Sequence, residues 1–216
     1  MNMPARLFAA IAFLAILSGC SGITTNYPVG ISGGVQTDAR LLGGWRVVET
    51  NNKQVRNAEG EGYIFFLPRK GGGYTGVWMA WSRPPAAKPD MALFDIITGR
   101  IGATGFINAR LVDQNEKPVD AKDPGYWPGL YRFDQNGRLH IFIFSDQGIK
   151  LAESAVQNHR LAGASDEQSA GKDSSGKNNK NTNVHITADP KLLDIYFAAN
   201  APLIFTDPIY TFERVN

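Results

Sequence analysis

A mainly β fold is what this sequence predicts: an antiparallel, up-and-down barrel of about eight strands, with one or two short helices near its C-terminal end. Three observations predict it. Short runs rich in aromatic and β-branched residues recur from residue 45 to residue 144, each bounded by turn-forming residues. One of them, Phe106-Ile107-Asn108-Ala109-Arg110-Leu111-Val112, alternates with the period of two that a half-buried strand requires. Beyond the N-terminal apolar run, helix-like spacing starts only near residue 149.

The strand runs are 45–49, 63–67, 74–82, 93–98, 106–112, 130–134 and 139–144, with a closing run at 209–215. In the fifth, Ile107 and Leu111 are expected to face inward while Asn108 and Arg110 face water. In the seventh, Leu139, Ile141 and Ile143 form one face and His140, Phe142 and Phe144 the other. Apolar residues on both sides imply that something covers its outer face. Arg69-Lys70-Gly71-Gly72-Gly73 and Gln135-Asn136-Gly137 join neighbouring runs and supply the positive φ of tight hairpin turns. The Pro-rich piece 83–89 lacks the backbone donors of a central strand and reads as a loop.

Ile149, Ala152 and Val156 mark a short amphipathic helix over 149–158. A second helix is better signposted: Asp189 can cap it, Pro190 fits its first position, and Leu192, Leu193, Ile195, Tyr196 and Phe197 follow before Asn200 offers a stop. Residues 163–183 between them are nearly all Gly, Ser, Asn, Lys and Asp. That composition cannot offset the entropy of ordering and predicts a disordered surface loop.

Composition removes several function classes. Cys20 is the only cysteine, so no intrachain disulfide can form and stability must come from burial. A formal charge of +2 offers no basic field for nucleic acid and no acidic field for cations. Gly171 to Asn178 follows the phosphate-loop pattern until Asn178 stands where Ser or Thr would bind magnesium, and no apolar strand or helix flanks it. His140, His159 and His185 lie far apart with no metal-binding spacing, and no G-x-S-x-G elbow is present. Glu59 and Glu61, in a glycine-bearing stretch, read as solvated rather than as an acid–base pair. No cofactor, metal or catalytic residue is therefore expected. Trp78, Trp81 and Trp127 are the candidates for contact with a ligand or partner, against a background in which buried packing is the commoner fate of tryptophan.

The N-terminus resembles a bacterial lipoprotein signal. Arg6 supplies the charged start, residues 7–17 the apolar stretch, and Leu17-Ser18-Gly19-Cys20 the processing motif. The apolar run is shorter than the roughly 20 residues that span a bilayer. The resemblance implies cleavage before Cys20, a diacylglycerol thioether on its sulfur and an acyl chain such as palmitate on its amine, which together anchor stably. Ser21 in place of Asp implies export to the outer membrane, facing the periplasm. Residues 20–38, rich in Gly, Ser, Thr and Asn, are then expected to be a flexible tether.

The start of the folded part, Leu41-Leu42-Gly43-Gly44-Trp45-Arg46-Val47-Val48, resembles the L-x-G-x-W opening of lipocalin-like proteins, with Gly43 and Trp45 on the matching positions. There the tryptophan closes one end of an up-and-down barrel and is covered by an arginine from near the end of the chain. The resemblance implies that Arg214 plays that part. The stretches from Thr187 to Phe205 and from Tyr210 to Val215 also look like the tail of uncharacterised bacterial envelope lipoproteins, which brings no activity with it.

The expected organisation is a signal peptide at 1–19, a tether at 20–38 and a barrel domain at 39–216 with its insertion at 163–183. The expected function is that of a non-enzymatic, membrane-anchored lipoprotein whose barrel binds an apolar or amphipathic small molecule. The alternative is an envelope-maintenance or protein-interaction module, protease-inhibitor-like in its use of loops, with a filled barrel and no such ligand.

Overall fold

The computed structural model describes residues 22–51, 61–81, 89–119, 125–172 and 178–215, with side chains omitted for 166–182. In chain order the elements are β1 (Ile23–Thr25), a 3-10 turn (Ala39–Leu41), β2 (Gly43–Thr50), β3 (Glu61–Pro68), β4 (Tyr74–Trp81), β5 (Asp90–Ile101), β6 (Thr104–Gln114), β7 (Lys117–Pro118), β8 (Trp127–Phe133), β9 (Leu139–Phe142), α1 (Asp146–Gln157), β10 (Gly163–Lys172), β11 (Asn178–Ile186), α2 (Pro190–Ile204) and β12 (Pro208–Arg214). Strands β2, β3, β4, β5, β6, β8, β9 and β12 pair antiparallel, each with the next, and β12 returns to β2. The result is a closed, eight-stranded up-and-down barrel. A second sheet, ordered β1-β11-β10, lies outside it, with β1 parallel to β11.

Alternation along the strands decides what fills the barrel. Trp45, Ile64, Phe66, Tyr74, Trp78 and Phe94 are buried within it, joined by Ile96, Ile107, Leu111, Tyr131, Leu139, Tyr210 and Phe212. The turn from β3 to β4 needs its three glycines, because Gly71, Gly72 and Gly73 all take positive φ (92°, 98° and 75°).

The wall formed by β6, β8 and β9 is apolar on its outer side as well. Phe106, Leu130 and Phe142 pack there against Ile23, Val29, Val184, Ile186, Leu193, Phe197, Ile204 and Phe205, forming a second core between barrel and helices. This is the cover that the two-sided pattern of β9 demands. Ile141 packs with the barrel interior, whereas Phe144 lies against Phe197 and Phe205 at centroid distances of 5.9 and 5.2 Å.

Both helices begin where side-chain caps are available. Ser145 accepts from the amide of Gly148 at the start of α1, and Asp189 accepts from the amides of Lys191 and Leu192 at the start of α2. The second helix passes the stop expected at Asn200, whose side-chain amide instead donates to the Tyr196 carbonyl one turn back, and ends at Ile204. There the Ser145 amide donates to the Ile204 carbonyl, tying the two helix ends together.

Three expectations are corrected. The described part of the supposed tether, residues 22–38, is a packed strap: Ile23, Thr25 and Val29 are 4, 0 and 0 % exposed. Its polar backbone is satisfied by distant side chains. Asn108 accepts from the Val29 amide and donates to the Val29 carbonyl, while the Asp194 carboxylate on α2 accepts from the amides of Gly30 (2.6 Å) and Ser32 (3.1 Å). Composition within the strap gives no sign of those partners. Close passage over β5 also requires glycine on both sides, since a Cβ on Gly99 would fall 2.8 Å from the Val29 carbonyl oxygen and one on Gly30 2.8 Å from the Arg100 amide nitrogen. Secondly, Asn108 does not face water; it is fully buried under the strap. Thirdly, residues 163–172 and 178–186 pair as antiparallel strands rather than forming a loop. Backbone pairing is indifferent to polar composition, and Val184 and Ile186 fix the foot of the hairpin in the second core. Residues 1–21, including Cys20, the Pro-rich piece through residue 88, Glu59 and the centre of the phosphate-loop-like segment fall outside the described residues.

Replacing Asn108 by Ala leaves the Val29 amide and carbonyl buried without partners, at about 1–3 kcal/mol each. The expected result is a lower urea midpoint, with protease cleavage before residue 43 at denaturant concentrations that the parent chain resists.

Candidate functional site

The two ends of the barrel differ. At one end lie the turns from β3 to β4, from β5 to β6 and from β8 to β9, together with the 3-10 turn that leads into β2. Gly43 enters β2 at φ 105°, and a Cβ there would meet the Arg214 side chain at 3.1 Å. Trp45, 1 % exposed, donates its indole N–H to the Leu41 carbonyl at 2.8 Å. The Arg214 guanidinium carbon stands 4.5 Å from the Trp45 ring centroid, and Nη1 donates to the Leu42 carbonyl at 2.7 Å. The structure therefore brings Gly43, Trp45 and Arg214 together, as a seal rather than a reactive site.

Asp38 completes the seal. Arg40 grips its carboxylate with two hydrogen bonds of 2.9 and 2.7 Å, Tyr131 donates to it at 3.1 Å, and the Tyr74 hydroxyl donates to the Asp38 carbonyl while accepting from its amide. The Arg40 hydrogen bonds outweigh partial burial and hold the Asp38 carboxyl below the usual carboxylate range. Burial, reinforced by the Asp38 charge, pushes the Tyr131 phenol up, so it stays a neutral donor.

At the opposite end, β2, β4 and β6 finish and β3, β5, β8 and β12 begin. Trp78 lies inside, its ring 5.6 Å from Tyr210 and 6.5 Å from Phe212. Trp127 is half-buried on the interior cluster at the start of β8. Trp81 is on the outer face, edge-on to Tyr63 at 5.8 Å. Of the three tryptophans singled out from the sequence, two share the interior and one does not. Beside Trp78, the Tyr210 hydroxyl is buried without a hydrogen-bond partner, and burial raises its pKa.

The side chains of two histidines, His185 and His140, are engaged in hydrogen bonds. His185 contacts Thr24 (2.8 Å) and Asn26 (2.6 Å), fastening β11 to the strap, and His140 contacts Thr211 and Asp134. His159 takes a positive φ of 55° just past α1. Among the described residues no group of three His, Cys, Asp or Glu side chains converges, and no helix is long and apolar enough to cross a membrane. Glu61 accepts from the Tyr63 hydroxyl.

Sequence reasoning missed the charged groups that organise the wall. Asp95, 8 % exposed on the outer side of β5, is paired with Arg69 and with Arg110 (2.7 Å), and Arg110 stacks on Tyr126 at 4.8 Å. An acid between Phe94 and Ile96 in an apolar run, like Asp194 between Leu193 and Ile195, was the available signal.

Comparison with known proteins gives no further handle: no family model matches the chain, and no match is found among curated proteins or solved structures.

Substituting Arg214 by Ala removes a cation–π contact of about 0.5–2 kcal/mol and the hydrogen bond to Leu42. A lower thermal midpoint and a shifted Trp45 emission are expected, with partial recovery in Arg214→Lys. Asp38 sets the acid response. Its folded-state pKa is depressed, so its stabilisation is complete above the unfolded value of about 3.9 and is lost as pH falls through the lower folded value. Amide resonances of residues 38–41 should therefore move below that pH, and Asp38→Asn should abolish the titration.

Proposed function

We propose that this chain is a non-enzymatic lipoprotein of the bacterial cell envelope, carried on the periplasmic side of the outer membrane by acyl chains on Cys20. In this reading the barrel is a packed scaffold, and the protein acts through its outer surface on an envelope partner. The observation that carries the reading is the occupancy of the barrel. Among the described residues, eight of its buried side chains, Trp45, Phe66, Tyr74, Trp78, Phe94, Tyr131, Tyr210 and Phe212, are aromatic. An eight-stranded barrel is just wide enough for side chains to fill it.

One observation favours the second reading, in which an apolar or amphipathic small molecule enters the barrel. Tyr210 points its hydroxyl into the interior without a partner, and a ligand oxygen would satisfy it.

Native mass spectrometry of the detergent-extracted protein separates the two. A bare chain plus its acyl groups, together with in-cell crosslinks from the outer wall to a discrete envelope protein, is the expected result. A stoichiometric small molecule that is lost in Tyr210→Phe would overturn the scaffold reading in favour of the second. For the anchor, Cys20→Ser and globomycin should each block processing and shift the chain's mass; unchanged maturation would remove it.

A further inference from the structure

Helices α1 and α2 pack on the same core, but their outward sides differ. Along α1 the exposed positions are Asp146, Gln147, Lys150, Ser154 and Gln157, the polar face of a helix at a water boundary. Along α2 they are Lys191 in the first turn and then Leu192, Ile195, Ala198, Ala199, Pro202 and Leu203. Helical periodicity sets these on one arc of roughly 140°. Leu192, Ile195 and Leu203 are 37, 59 and 47 % exposed, so the stripe is open surface. The other charge on the helix, Asp194, is buried and bound to the Gly30 and Ser32 amides. Helix α2 is thus apolar on both sides, and a helix that is apolar all round is normally covered on both.

The start of the folded chain says which second apolar phase is at hand. The Gly22 carbonyl accepts from the Val184 amide and the Gly22 amide donates to the Asn183 side chain, so Gly22 is fixed to β11. Strands β1 and β11 and helix α2 all pack on the outer side of the β6–β8–β9 wall, against Phe106, Leu130 and Phe142. From Cys20 to Gly30, whose amide donates to Asp194 of α2, the chain can span at most about 35 Å. Acyl chains on Cys20 therefore hold α2 beside the leaflet that they occupy. A second copy is a poorer occupant. The stripe is about 22 Å long and about 10 Å wide, roughly 220 Å² in plan, against roughly 800 Å² per partner in a stable protein interface. A leaflet needs no such area, because the acyl chains already supply the anchoring and keep the helix at high local concentration.

We infer that α2 docks on the phospholipid leaflet that anchors the chain, lying in its plane with Leu192, Ile195, Ala199 and Leu203 turned into the boundary between head groups and acyl chains. The inference rests on the lipidation of Cys20 proposed above. Lys191 is the one cation on the stripe, so docking depends on apolar contact and is the same on zwitterionic and anionic leaflets. It also orients the molecule. The second core faces the membrane, and β3, opposite β8 in the ring, faces the aqueous side.

The test is spin labelling of the full acylated chain in phosphatidylcholine vesicles. Acylation of Cys20, the only cysteine, leaves an introduced cysteine as the one free thiol, so Ile195→Cys, Ala199→Cys and Leu203→Cys each take a single nitroxide. Power saturation should show each of these labels more accessible to oxygen than to a water-soluble nickel chelate, and Ser154→Cys on α1 the reverse. Phosphatidylglycerol and high salt should leave both results unchanged. Adding Leu192→Asp and Leu203→Asp to Ala199→Cys should return its label to water at an unchanged urea midpoint, since both positions are exposed. Labels at 195, 199 and 203 that stay in water on a chain carrying one nitroxide would overturn the docking and leave the anchor standing. Spin–spin broadening between molecules, which marks a second copy as the occupant, or docking confined to anionic vesicles would do the same. Two nitroxides per chain, counted by mass, would show Cys20 unacylated and remove anchor and docking together.

Discussion

Pairing of β12 with β2 closes the ring, and the remainder of the molecule is arranged around that seam. The two strands come from the ends of the folded chain, with Tyr210 opposite Thr50 and Arg214 opposite Trp45. Closure leaves the barrel without a free edge to pair with another molecule. The entropic cost of joining ends this far apart grows only logarithmically with loop length, and the seam offsets it with Phe212 in the interior and Arg214 over Trp45. Glu213 adds contacts to Arg138 at 2.9 Å and Arg46 at 3.7 Å, but these are surface pairs that contribute little.

The same closure explains the second core. Between β9 and β12 the chain runs through α1, the β10–β11 hairpin and α2, and all of it must be stored on one side of the ring. The wall there carries Phe106, Leu130 and Phe142 outward while Ile107, Tyr131 and Ile141 face in. Two apolar layers therefore share one sheet, and polar groups caught between them must be satisfied locally. Asn108 and Asp194 do this for the strap, each in a buried position where an unpaired amide or carboxylate would be costly.

The strands, both helices and the barrel class were legible because each rests on local information: period-two alternation, turn glycines, and the Asp189-Pro190 helix start. Trp45 and Arg214 were legible through a short motif at each end of the chain. The strap was not, since Ile23 and Val29 are isolated apolar residues whose burial depends on partners 79 to more than 160 positions away. The hairpin at 163–186 was hidden for a related reason: most of its length is polar, and only Val184 and Ile186 at its foot carry a burial signal.

The packed strap also determines how the molecule bears mechanical load. Any tension applied ahead of residue 22 arrives first at the bonds that join β1 to β11, where the Val184 amide holds the Gly22 carbonyl and the Asn26 amide holds the Ile186 carbonyl. It passes next to Val29, held by Asn108 of β6, then to the Asp194 clamp on α2, and only afterwards to β2. The seam between β2 and β12 is thus shielded from a pull on the residues ahead of the strap by contacts that precede it in the chain. A restraint fixed at residue 20, two peptide units or at most about 7 Å upstream of Gly22, would hold the folded body close with almost no slack.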